Sequence, residues 1–226
     1  MLNTLDLSYA GANIIAGFEA SMNDSVPMLF VYDAKTEVKR PINFDYKYSF
    51  RHYNMRLSAY SNMIYANKDN GVIVVAFVCL DMINFYDRAG VQIKSVRFSK
   101  VVSPKESDNH SMVSFDARLF SGFVYGTKNY LYVQRPEASM TDIRQGRVKE
   151  VKILKFDWSG NLLTVYKINS YIKEFCVNEN TDRLYTVIKT DDPEFAKIVV
   201  FDLSTHDDAS PNSMRNNTIS MYNLRI

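Results

Sequence analysis

The sequence predicts an all-β protein, a β-propeller built of four-stranded antiparallel blades, and three observations carry that expectation. First, an apolar run closing on an aromatic or valine and then aspartate at a turn is written four times: LFVYDAKT, INFYDRAG, LKFDWSG and VVFDLST. The aspartates are Asp33, Asp87, Asp157 and Asp202, at intervals of 54, 70 and 45 residues. Recurrence of roughly 40–50 residues with strand-like units marks propeller blades. Second, each motif is preceded by two further strand-like segments. Third, no amphipathic helical pattern longer than about ten residues competes with them.

The elements follow in order. In DRAG (87–90) and DWSG (157–160) aspartate holds the first corner of a tight turn and glycine the fourth. That is the type I preference, because the carboxylate accepts from backbone N–H groups two residues on. DAKT and DLST keep the aspartate and lose the glycine. After three of the turns comes an outer strand: VQIKSVRF (91–98), NLLTVYKI (161–168) and TISMYNLRI (218–226). Upstream lie NIIAGF, VIVVAF, YLYVQ and RLYTVI, and before those NTLDLSY, RLSAYSNMIYA, SGFVYGT and IKEFCVN. The blades therefore fall within 1–50, 51–100, 115–168 and 169–226 of a single domain, 1–226. The polar segments 101–114, 135–149 and 206–217 are expected to be loops.

Composition bounds the function. The chain has 226 residues, 46% hydrophobic and 23% charged, long enough to bury a real core. A formal charge of +2 with no Lys/Arg block speaks against nucleic acid as a partner. The longest apolar run, Val72 to Leu80, is about half a membrane span, so no span is expected. The first residues, MLNTLDLSYAGAN, hold neither a basic segment nor a signal-like apolar stretch. Cys79 and Cys176 sit in apolar strands and are expected to be buried free thiols.

From Phe123 to Leu203 the chain resembles the TolB-like six-bladed β-propellers of bacterial envelopes. The resemblance rests on GFVYGTKNYLYV, KILKFDWSGNLLTVYKI, IKEFCVNENTDRLYTVI and AKIVVFDL. Residues 12–100 match more loosely, through NIIAGF, the DRAG turn and RLSAYSNMIYA. The resemblance implies a six-bladed ring, of which four blades are countable here. It also implies a periplasmic or envelope location if a leader lies outside this chain, and a cytoplasmic one otherwise. Such an arc would leave blade edges exposed, which invites self-association or pairing with an envelope protein.

Known catalytic patterns are missing from the sequence. It contains no HExxH, C-x-x-C or G-x-S-x-G, and its eight glycines form no phosphate cradle. The expected function is therefore non-catalytic binding or protein interaction, without cofactor. The alternative is a calcium-dependent lactonase or hydrolase with an axial site, for which Asp6, Asn54 and Glu174 are the candidate oxygen ligands. His110 and His206 lie in polar loops and read as solvated. The candidate ligand site is RHYNMR (51–56) at the crossover into the second blade. Arg51, His52, Tyr53 and Arg56 offer charge, an aromatic plate and donors for an anionic or sugar-like ligand. Lys173 and Glu174, at the equivalent crossover into the last blade, are expected to join them, and Arg144 and Arg147 to wall the same side. The pairs Tyr130–Tyr132 and Phe123–Tyr125 each share one face of a strand and are expected to be core. Trp158, after Asp157, is expected to be partly exposed over its turn.

Overall fold

The computed structural model describes residues 3–20, 28–44, 53–99, 103–108, 112–189, 195–204 and 219–225. Within them lie four four-stranded antiparallel sheets, each with its strands in chain order. The first contains β1 (Asn3–Gly11), β2 (Ile14–Ala20), β3 (Met28–Asp33) and β4 (Val38–Pro41). The second follows α1 (Tyr53–Ala59) and contains β5 (Asn62–Ala66), β6 (Ile73–Phe77), β7 (Met82–Tyr86) and β8 (Gln92–Arg97). The third contains β10 (Val124–Gly126), β11 (Tyr130–Arg135), β13 (Val151–Asp157) and β14 (Leu162–Ile168). The fourth contains β15 (Phe175–Asn178), β16 (Arg183–Lys189), β17 (Phe195–Asp202) and β18 (Ile219–Arg225). A two-stranded ribbon, β9 (Arg118–Leu119) with β12 (Ala138–Ser139), and the single turn α2 (Met140–Arg144) complete it.

The four aspartates stand where the repeat places them, between the two outer strands of each sheet. Asp87 Oδ1 accepts from the N–H groups of Ala89 (2.9 Å) and Val91 (2.8 Å). Asp157 Oδ1 does the same for Ser159 (2.9 Å) and Asn161 (2.8 Å). Gly90 and Gly160 are left-handed, at φ 81° and 77°. Each of these two hairpins carries a register shift beside the turn, between Phe85 and Tyr86 and between Lys155 and Phe156. This is a type I turn followed by a glycine bulge, which explains why glycine is kept at the fourth corner.

Successive sheets pack face to face, and the packing decides which side chains are buried. β6 and β7 are buried at all five positions. Ile73, Val75 and Phe77 join the core shared with the first sheet, including Ala16, Leu29 and Val31. Val74, Ala76, Ile83 and Phe85 join the third sheet's Leu131, Val133, Leu154 and Phe156. A third core unites Tyr132, Ile153 and Ile168 with Phe175, Leu184 and Phe201 of the fourth sheet. A strand covered on both faces needs an uninterrupted apolar run, and VIVVAF is one. The inner strands lie side by side in series, β1 on β5, β5 on β10 and β10 on β15. Among the described residues β15 and β1 do not pack on one another in this way. The chain is a β-propeller of four-stranded blades.

Four expectations are corrected. RLSAYSNMIYA is not one strand: α1 ends at Ala59 and β5 begins at Asn62. Met55 and Ala59, four apart, bury together on one helical face, and 53–59 holds no β-branched residue to oppose the helix. The segment 135–149 is not a plain loop, since Arg135 ends β11 and β12 and α2 follow. Ser139 and Asp142 form a reciprocal capping box at α2. Cys176 is exposed, whereas Cys79 is buried. Strand alternation turns Phe175 and Val177 toward the third sheet and Cys176 the other way. Trp158 is buried: its Nε1 donates to the Lys128 carbonyl (3.1 Å) and its ring stacks on Tyr65.

Candidate functional site

In an antiparallel blade the crossovers into the inner strand and the loop between the second and third strands open on one face, and the aspartate turns on the other. The crossover face is the more elaborate. α1 lies in the connection into the second sheet, β9 in the connection into the third, and β12 with α2 between β11 and β13. These pieces are tied together. Ser58 Oγ accepts from the Val113 N–H (2.9 Å), the Phe120 N–H donates to the Val78 carbonyl (2.7 Å), and the Thr141 N–H to the Phe115 carbonyl (3.1 Å). Val113, Ala117 and Leu119 bury against the first core, with Met140 and Ile143 of α2 packed on it.

Between this cap and the inner strands is a cleft of about 690 Å³. Asp6 of β1 and Phe18 of β2 form one side; Asn54, Leu57 and Ser58 of α1 form another. Ser61, Asn62, Met63 and Met112 complete the lining. Asp6 Oδ2 accepts from the Ile64 N–H (2.9 Å), and Ser8 Oγ from the Ala66 N–H (2.8 Å). Alternate side chains of β1 thus satisfy the free edge of β5, where no backbone ladder joins the blades. Asn62 Nδ2 donates to the Tyr60 carbonyl (2.9 Å), while its Oδ1 is buried without a partner. An unpaired buried acceptor is uncommon in a native fold and calls for an explanation. Beside Ser61, burial pushes the Cys79 thiol up to about 11, only partly countered by the serine's hydrogen bond. At neutral pH that thiol is no nucleophile.

The residues singled out in the sequence fall as follows. Arg51 and His52 lie outside the described residues, as do His110 and His206, and of Tyr53 only the backbone, opening α1, is described. Arg56 is half-buried on α1 and does not line the cleft. Lys173 and Glu174 are exposed, 3.9 Å apart, and also lie outside its lining. Arg144 covers the Phe115 ring at 4.7 Å, and Arg147 pairs with Asp142 at 2.7 Å. Of the candidate calcium ligands, Asp6 and Asn54 line the cleft and Glu174 does not. Among the described residues no group of three or more His, Cys, Asp or Glu could hold a metal ion. Nor is any of their helices long and apolar enough to cross a membrane. Phe123 and Tyr125 pack edge-on and tilted against Phe175, and Tyr132 is buried, so these aromatics are core. Phe18, Ser58, Ser61 and Asn62 carried no sequence signal, because they meet only when the first two blades are docked.

No family model matches the chain, and no curated protein matches it. Solved structures do. A member of the DUF4221 family from Bacteroides vulgatus is 12% identical over 99% of this chain and 64% of its own, at a TM-score of 0.50. TolB from Acinetobacter baumannii is 12% identical over 96% and 43%, at 0.48. A chain of a nidogen/laminin complex is 12% identical over 86% and 59%, at 0.45. This chain therefore spans less than two thirds of each. At such identities the likeness is one of fold alone, a β-propeller.

Proposed function

We propose that this propeller binds a ligand without transforming it, and that a neutral, sugar-like molecule occupies the cleft between β1, β5 and α1. The observation that carries the reading is the lining: one carboxylate, two amides and two hydroxyls around Phe18 and Met63, in about 690 Å³. Polyhydroxylated ligands need donors and acceptors together with an apolar face, and pockets of this size and mixture suit small molecules. The exposed Asn54 amide, which both donates and accepts, would bond to ligand hydroxyls. No described cation lines the cleft, which favours a neutral ligand over an anionic one. Arg51, His52, Tyr53 and Arg56 are proposed separately, as a segment that would meet only a ligand extending beyond the cleft lining. Lys173 and Glu174 would matter only for a ligand long enough to reach the fourth blade. An envelope location is proposed with it, on the strength of the sequence resemblance.

The test is a saturation-transfer NMR screen of mono- and oligosaccharides on the whole chain. Exposed Asn54 is replaced by alanine, and Asn62 by leucine. Binding should weaken about tenfold or more in each variant, with the Asn54→Ala protein melting like the parent. A screen without a binder, or a binder indifferent to both changes, defeats the reading. Stabilisation by calcium, lost in Asp6→Asn, would favour the metal-dependent alternative instead.

A further inference from the structure

A second recess, of about 400 Å³, lies at the junction of the second and third blades, against their outer strands. One end is charged. Glu137 sits at φ 51°, in the left-handed region where a residue with a Cβ is strained. Strain of that kind is retained where the surroundings impose it, often at functional positions. Three cations converge on its carboxylate: Arg135 Nε at 2.6 Å, Lys152 Nζ at 2.7 Å and Arg118 Nη2 at 3.4 Å. Burial raises the Glu137 pKa, but hydrogen bonds from Lys152 and Arg135 outweigh it and bring it to about 2. Asp81, itself buried, pairs with Arg135 and accepts from Ser99 Oγ at 2.6 Å. Three positive side chains thus meet two negative ones within the cluster.

The other end is apolar and open. Phe98, Leu162 and Val165 line it while remaining 38%, 41% and 39% exposed. The Phe98 ring lies 4.6 Å from the Arg135 guanidinium, so the apolar wall adjoins the cations directly. A structural ion-pair network accounts for Asp81 and Arg135, which are both buried and satisfy each other. It does not account for the extra positive charge, carried outward by Arg118, whose side chain is 56% exposed. Nor does it account for three apolar side chains left in water beside that charge.

We propose that this recess binds a carboxylate with an apolar body, of the class of medium-chain fatty acids or aryl carboxylates. Its carboxylate lies beside Glu137, on the guanidinium of Arg118 and the ammonium of Lys152, where charge-assisted hydrogen bonds are strongest. Its body covers Phe98, Leu162 and Val165. Glu137 is then a built-in competitor that holds the cations in place when the recess is empty. This proposal is independent of the cleft on the crossover face.

The experiment is isothermal titration of octanoate into the whole chain, with 1-octanol and octylammonium as controls. Octanoate should bind saturably at one site, and neither control should. Arg118→Ala should weaken it about tenfold, Leu162→Asp should abolish it, and Glu137→Gln should tighten it by removing the competing charge. Arg118 and Leu162 are exposed, so those two variants decide the matter even if Glu137→Gln fails to fold. Absence of saturable octanoate binding at millimolar concentration, equal binding of 1-octanol, or affinity unchanged by Arg118→Ala would each overturn the proposal.

Discussion

A carboxylate that accepts two backbone N–H groups two and four residues on does more than decorate a turn, since it fixes the hairpin that closes the outer ladder of the second and third sheets. Asp87 and Asp157 are equivalent in this respect. Removing either by Asp→Ala should cost about 1 kcal/mol, the net worth of such hydrogen bonds. Chemical denaturation of the two single variants would measure it. Gly160 is less replaceable than Gly90. Both are left-handed, but a Cβ at 160 would crowd two atoms of the rigid Phe85 ring (2.9 and 3.0 Å) and Lys94 (3.1 Å), whereas one at 90 would crowd only a side-chain carbon of Ile42 (3.0 Å). Glu137 makes a prediction in acid. Its folded pKa, about 2, is depressed from an ordinary 4.5, so its stabilising contribution is complete above that ordinary value and lost as pH falls toward 2. The urea midpoints of the parent and Glu137→Gln should therefore differ at pH 6 and converge between about pH 4.5 and 2.

At the scale of the element, burial on two faces separates the second and third blades from the first and fourth. Phe85 of β7 is fully buried and meets Phe156 of β13 edge-on at 5.8 Å. Phe85→Ala should destabilise by about 3–5 kcal/mol, because a cavity would open between two close-packed sheets. Ile93→Ala on the half-exposed outer strand β8 should cost under about 0.5 kcal/mol. A thermal or urea melt of the pair would show the contrast, and similar losses for both would contradict the packing. Gly126 illustrates how tightly blades meet. A Cβ there would fall 2.1 Å from the Tyr65 ring, whose hydroxyl donates to the Gly126 carbonyl at 2.8 Å. Gly126, the second glycine of SGFVYGT, is needed for close approach and not for backbone freedom.

For the molecule as a whole, the two end faces of the series carry exposed apolar side chains. Leu7 and Tyr9 on the first sheet and Val187 on the fourth are each more than half exposed, on the faces turned away from the neighbouring blade. The equivalent faces of the inner blades bury such residues against the next sheet. The expected outcome is association of copies through these faces and through the outer strands, which have a free edge among the described residues. Light scattering should give a mass above the monomer for the parent chain, and the monomer mass for Leu7→Lys combined with Val187→Lys. A monomeric parent chain would count against it.

The sequence by itself determined the repeat, the strand order within each blade and the place of the four aspartate turns. Those features rest on local rules: period-two alternation, turn chemistry and the apolar runs of strands covered twice. It located neither β4, four exposed residues ending in proline, nor α1, because charged and small residues there carry no strong periodicity. It gave Cys79 and Cys176 the same apolar surroundings, and only the position of each sheet in the series made one buried and the other exposed. The sites were the least legible. Asp6 and Asn62 are 56 positions apart, and Asp81 and Arg135 are 54. Nothing in the sequence around either residue announces its partner. Blade-on-blade packing brings them together, so the cleft and the charged recess are properties of the tertiary structure alone.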